Sequence, residues 1–181
     1  MRDNCIHGFR FEKAVKRWYS DGNMATHTIG YVNHEGVGQS GLERELGAHL
    51  KGQDGYQITR KDQSGLVLLP GGGILKPPRS GFDAKLTLDV NIQSFVEEEL
   101  NRGLDEFDSK CGAVVMIEPE TGDVLAIASR PHFNLNLRNN MSESAMHYAV
   151  QGVYEPGSTL KVISAAAALD LGLMSPQTPM F

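Results

Sequence analysis

No run of about eighteen consecutive apolar residues occurs in this 181-residue chain, so neither a transmembrane helix nor a signal sequence is read in it as given. Cysteine is nearly absent: Cys5 and Cys111 lie far apart in different segments, and packing residues without a disulfide are the expectation for such a pair, with no bearing on redox compartment. A basic excess is missing too. Lys and Arg number 17 against 22 Asp and Glu, a formal net charge of -5, which makes nucleic acid a poor candidate partner. The six histidines show no ligand spacing among themselves or with the cysteines. No metal and no cofactor is therefore expected.

What is present suits a folded polypeptide. The chain is 40% apolar and 22% charged, enough for one or two compact domains with real cores. Arg10, Lys13, Lys16 and Arg17 gather beside Phe9, Phe11 and Trp18, a pattern open to two readings: an amphipathic contact to a membrane or partner, or a solvated helix face. A turn is read at residues 20–23, β-forming content from Met24 to Val32, and a loop at 33–40. Leu42, Leu46 and Leu50 recur every fourth residue and predict a short amphipathic helix ended by Gly52. Tyr56 to Lys61 and Leu66 to Leu69 flank a polar, Gly-ended turn and predict a hairpin. The Pro- and Gly-rich stretch 70–81 is the sharpest change of composition and the expected domain boundary.

Beyond it, Lys85 to Leu88 alternates as a strand should, and Asp89 is placed to cap a helix. Ile92, Phe95, Val96, Leu100, Leu104 and Phe107 keep helical spacing, with Glu97, Glu98, Arg102 and Asp105 opposite. Residues 113–117 and 124–128 read as two strands of a hairpin covered on both faces, one by this helix and the other by a helix beginning near Ser158. A short helix is expected within 142–150. The fold class is α+β.

Residues 154–169 carry the chemistry. Pro156 and Gly157 break whatever precedes them, and an Ala-rich apolar run follows Lys161, as in a helix packed on all sides. Ser158 then lies in the first turn, where unpaired N–H groups and the helix dipole favour developing negative charge. Lys161, three residues on, shares its face. A lysine desolvated against Val162 and Ala165 loses part of its proton affinity and can serve a serine as base. A capping serine followed by a surface lysine fits the same spacing. Residues 158–161 are the chain's one S-x-x-K match.

The segment Glu155-Pro156-Gly157-Ser158-Thr159-Leu160-Lys161 resembles the active-site serine segment of class B penicillin-binding proteins, the peptidoglycan transpeptidases acylated by β-lactams. Three more stretches are similar to that family in order: Gly38-Gln39-Ser40-Gly41-Leu42-Glu43 to the G-x-x-G-[LIV]-E signature of its non-catalytic pedestal, residues 118–126 to a hairpin, and Pro131-His132-Phe133-Asn134-Leu135-Asn136 to its P-x-[FY]-[ND]-x-N stretch. The resemblance implies a mixed α/β pedestal over 1–70, a linker over 71–81 and, over 82–181, the N-terminal part of a transpeptidase domain whose antiparallel sheet is covered by helices. It implies Ser158 as nucleophile and Lys161 as its base. Peptidoglycan stem peptides would be the substrate, β-lactams covalent inhibitors, and cell-wall synthesis or divisome proteins the partners. The implied location is the cell (inner) membrane, facing the periplasmic side through an anchor that this sequence lacks.

Two departures are visible. Arg17-Trp18-Tyr19-Ser20 stands where the family usually has R-x-Y-P. The family's S-x-N and K-[TS]-G triplets do not occur, which implies an incomplete domain, inactive by itself. The spacing of Arg17 to Gly65 leans to a division-type enzyme. Class D β-lactamases and β-lactam sensors share S-x-x-K but lack a G-L-E pedestal. The alternative reading is a non-catalytic pedestal module that binds other wall-synthesis proteins.

Overall fold

The computed structural model describes residues 16–57, 75–139, 141 and 144–179. The basic and aromatic positions Phe9, Arg10, Phe11 and Lys13, Cys5, and most of the hairpin expected at 56–69 lie outside them. The chain divides into two compact units, Met1–Val150 and Gln151–Phe181.

In the first unit, the long helix and the hairpin of the sequence reading are both present. Helix α4 spans Val90–Glu106, and the side chain of Asp89 accepts hydrogen bonds from the N–H groups of Asn91 and Ile92, at 2.9 and 3.0 Å. That satisfies two donors which a helix start otherwise leaves without partners. Strands β3 (Gly112–Ile117) and β4 (Val124–Arg130) pair antiparallel, Val114 opposite Ala128 and Met116 opposite Ala126. Ala126 and Ala128 are small, so α4 comes close enough for Val96 to pack on them, flanked by Ile92, Leu100 and Val114. The turn closes with Gly122 donating to the Glu118 carbonyl and Glu118 to that of Asp123.

Several local expectations give way to tertiary structure. Thr26–Ile29 forms a single helical turn, α1, despite its β-forming residues; packing overrides propensity there. The leucine repeat is split at Leu46 into α2 (Gly41–Glu45) and α3 (Gly47–Leu50). Residues 85–88 are not a strand, though they follow one: Thr87 Oγ1 donates to the Val124 carbonyl at 2.7 Å and Asp89 N–H to that of Leu125 at 2.9 Å. Tyr56–Gln57 (β1) pairs with Leu75–Lys76 (β2), inside the stretch read as a linker. On β3, Val115 and Ile117 are exposed. The helix expected within 142–150 is the single turn α5, Tyr148–Gln151.

The second unit holds a 3₁₀ turn, Gly157–Leu160, running directly into α6, Lys161–Asp170. The sequence predicts a helix packed on all sides, yet α6 has no buried residue, and Val162 is 73% exposed. Apart from Gln151 at the end of α5, nothing else within Gln151–Phe181 forms a helix or strand among the described residues.

Candidate active site

Ser158 stands in the 3₁₀ turn and Lys161 is the first residue of α6. A 3₁₀ turn has three residues per turn, so positions three apart line up along one side. The backbone thus brings serine and lysine to the same side, as the spacing predicts. Gly157 adopts φ +51°, a left-handed conformation that costs glycine least, and this bends the chain into the turn. Thr159 locks it by donating twice to the Pro156 carbonyl, N–H at 3.0 Å and Oγ1 at 2.6 Å. Among the described residues, Ser158 N–H has no backbone acceptor and no hydrogen bond joins Ser158 Oγ to Lys161 Nζ. Both residues are exposed. The segment therefore presents a hydroxyl, an amine side chain and an N–H without a backbone acceptor on one exposed turn.

In the first unit the other motifs act through backbone bonds. The Asn136 side chain accepts from Tyr19 N–H at 3.1 Å and donates to the Tyr19 carbonyl at 2.8 Å. Asn134 Oδ1 accepts from the N–H groups of Asn136 and Leu137, both at 2.9 Å, while its Nδ2 donates to Asn23. Leu135 N–H reaches the Gly22 carbonyl at 2.7 Å, and Leu135, Phe133 and Tyr19 form a buried cluster. The P-H-F-N-L-N stretch is thus a clamp on residues 19–23. Arg17 chelates Glu43 through Nε at 2.6 Å and Nη2 at 3.1 Å; that bond holds the guanidinium pKa above its ordinary value. Glu43, the last residue of the G-Q-S-G-L-E stretch, is buried in this pair. Its partner is Arg17, and Arg44 pairs with Glu45.

The two glycines of G-x-x-G-L-E are required by close approach. A Cβ on Gly38 would lie 2.0 Å from the Glu43 carbonyl oxygen, and Gly41, at φ +55°, would meet that of Thr28 at 2.5 Å.

Glu97 corrects the reading of α4. Placed by spacing on the solvent side, it is 9% exposed and joins three elements. It pairs with Arg130 at 3.0 Å, accepts Ala25 N–H at 2.7 Å and accepts Gln93 Nε2 at 2.6 Å. Gln93 in turn holds Ile127 of β4, donating to its carbonyl at 2.9 Å and accepting its N–H at 2.8 Å. Arg130 Nε donates to Asn101 at 2.6 Å. The only sequence signal for this network is a glutamine and a glutamate at i, i+4 near the apolar face of α4.

The comparisons with known proteins fall on these same residues. The penicillin-binding protein dimerisation domain matches residues 1–86, and the penicillin binding protein transpeptidase domain matches 112–181. The chain belongs to the class B penicillin-binding proteins. It is 38% identical over 169 residues to the "Probable peptidoglycan D,D-transpeptidase PenA" of Neisseria meningitidis and 30% identical over 170 residues to the "Peptidoglycan D,D-transpeptidase FtsI" of Escherichia coli. Those alignments cover 92% and 93% of this chain but 29% of each relative, so the chain spans under a third of their length. Among solved structures, a peptidoglycan synthetase from Bifidobacterium adolescentis is 28% identical with a TM-score of 0.68, covering 91% of this chain and 30% of that one. Penicillin Binding Protein 2X from Streptococcus thermophilus, also 28% identical, gives 0.60, with 88% and 25% covered. Among the described residues no helix is long and apolar enough to cross a membrane, and no three His, Cys, Asp or Glu side chains are grouped to hold a metal.

Proposed function

We propose that this penicillin-binding protein chain supplies the nucleophile half of a peptidoglycan D,D-transpeptidase. The observation that carries the reading is Ser158 and Lys161 on one side of the 3₁₀ turn that opens α6, inside the region matched by the transpeptidase domain. Ser158 Oγ attacks the carbonyl of the penultimate D-alanine of a stem peptide while Lys161, as the base, takes its proton. The tetrahedral oxyanion is received by Ser158 N–H, which has no backbone acceptor among the described residues. Collapse expels terminal D-alanine as the protonated amine. An amine of a second stem peptide then displaces the serine, forming the crosslink and returning the proton.

In the same reading residues 1–70 are the pedestal, 71–81 a linker and 82–181 the transpeptidase part. The working enzyme is held at the inner membrane, facing the periplasm, among wall-synthesis or divisome partners. Because S-x-N and K-[TS]-G are absent from residues 1–181, the 181-residue chain alone stays unacylated by a β-lactam.

The test uses this chain extended through the rest of its transpeptidase domain, so that Ser158 is the domain's S-x-x-K serine. Ser158→Ala should abolish covalent labelling by a fluorescent penicillin with the circular dichroism unchanged. Continued labelling of that variant would remove Ser158 from the mechanism.

A further inference from the structure

Polar groups in the body of the first unit are engaged with one another. His147 Nδ1 is 2.8 Å from Ser129 Oγ and its Nε2 3.2 Å from Thr28 Oγ1, while His27 Nε2–H donates to the Ser144 carbonyl at 2.7 Å. Burial above all lowers the pKa of both histidines, that of His147 to about 4. One surface of the same unit is built differently. A recess of about 970 Å³ is bounded by residues 16–18, the 32–36 loop, α3 with Lys51 after it, and residues 136–138. Its walls are fixed by the chain itself. Asn33 Oδ1 accepts the N–H groups of Glu35 and Val37, both at 2.9 Å, and Asn33 N–H donates to the Val37 carbonyl at 2.8 Å. Asn136 is tied to the backbone of Tyr19, and Arg138 N–H donates to the Asn134 carbonyl at 2.7 Å. A recess with walls so held needs little reordering to receive a ligand.

Its charge is opposite in sign to that of the chain. Lys16, Arg17, Lys51 and Arg138 line it against Glu35 and Glu43, in a protein of formal net charge -5. The Arg17–Glu43 pair cancels itself, which leaves Lys16, Lys51 and Arg138 facing one carboxylate. Lys16 and Lys51 join no ion pair among the described residues. The Arg138 guanidinium lies 5.2 Å from the centre of the Tyr31 ring, a contact that positions the charge without neutralising it. Two large apolar side chains sit among these cations, Trp18 at 70% and Leu137 at 73% exposed. Tryptophan and arginine are the residue types that protein interfaces favour, and a partner's carboxylates would complement the cations.

The chain's own undescribed stretches do not bring that negative charge. Residues 1–15 carry Arg2, Arg10 and Lys13 against Asp3 and Glu12, and residues 58–74 carry Arg60 and Lys61 against Asp62. A lipid surface matches the recess no better, since a surface-bound segment is an amphipathic helix with its apolar side chains protruding. Residues 16–19 are not helical, and the cations line a concavity. We propose that this recess is a docking groove for a short acidic peptide segment of a partner protein, whose carboxylates meet Lys16, Lys51 and Arg138 and whose apolar side chain packs on Trp18 and Leu137. The volume is of the size that ligand pockets reach, about 300–1,000 Å³. The inference goes beyond the transpeptidase reading and does not depend on it.

Trp18 is the chain's single tryptophan, so its fluorescence reports on the groove. A randomised library of short, tryptophan-free peptides is selected on the 181-residue chain. The enriched sequences should carry an excess of Asp and Glu over Lys and Arg, next to Leu, Ile or Phe. The most enriched peptide, made synthetically, should move the Trp18 emission to shorter wavelength and saturate. Lys16→Glu and Lys51→Glu should each weaken its binding at least about tenfold, and Lys110→Glu, the same charge change at an exposed position away from the groove, should not. No enrichment, enrichment without an acidic bias, binding that leaves Trp18 unchanged, or equal losses in all three variants would overturn the groove. A larger Trp18 shift on phosphatidylglycerol vesicles than with the peptide would overturn it in favour of a lipid surface. A shift on concentrating the chain alone, with a dimer in sedimentation, would overturn it in favour of a second copy.

Discussion

The joint around Tyr19, Glu97 and Arg130 and the segment around Ser158 are built in opposite ways. In the joint, nearly every polar group is spoken for: among the described residues no buried side-chain nitrogen or oxygen lacks a partner, and amide side chains stand in for missing strand neighbours at Tyr19 and Ile127. The Ser158 segment is exposed, holds its shape by backbone turns and one threonine, and leaves its reactive groups unengaged. Architecture here is fixed by satisfied buried polar groups, because an unsatisfied one costs more than its bond contributes. In the function proposed for Ser158 and Lys161, reactivity is kept where such satisfaction is withheld.

The largest effect that would sharpen this contrast falls on the open segment. In this chain extended through the rest of its transpeptidase domain, Lys161→Arg keeps the charge but puts in place of the amine a guanidinium that stays protonated, and acylation by a fluorescent penicillin should slow by about 100-fold or more with the fold retained. A wild-type rate would mean that the proton goes elsewhere.

In the joint the currency is stability instead. Glu97→Ala leaves Arg130 buried without its partner, and urea denaturation should show a loss of about 3–5 kcal/mol. A loss under 1 kcal/mol would show that water, not Glu97, balances Arg130. Asn136→Ala strands the N–H and C=O of Tyr19 and should cost about 1–3 kcal/mol. Arg17→Ala should cost less, about 1 kcal/mol, because Arg17 is half exposed and its charge is screened.

Titration extends the comparison. The folded-state pKa of His147 is about 4 against an ordinary 6.5, so the unfolded chain binds the extra proton first. Stability is then full above pH 6.5 and falls as pH drops toward 4. His147→Gln should flatten that part of the denaturation profile.

Much of this was readable in the sequence where one signal dominates. Asp89 before an apolar periodic run announced the cap and α4, and two apolar runs around a Gly-containing turn announced the hairpin. Residues 26–29 and 85–88 misled because their side chains suit a strand, while what decides them is where Glu97 takes Ala25 N–H and where β4 offers its first carbonyls. The Ser158 and Lys161 spacing was legible from local periodicity alone. Glu97, Arg130, His27 and His147 were not, since their partners lie tens of residues away and no periodicity connects them.

Gln93 has one more consequence. Together with Thr87 and Asp89 it occupies the outward backbone groups of β4 at Ile127, Val124 and Leu125. A free strand edge is a template on which any other extended chain can pair, and here one of the hairpin's two templates is closed by the helix that covers it. The opposite edge, on β3, carries no such side-chain caps among the described residues. A glutamine in a helix thereby gives the sheet a direction of growth: an added strand can join beside β3, and the β4 side is sealed against mispairing with a second copy.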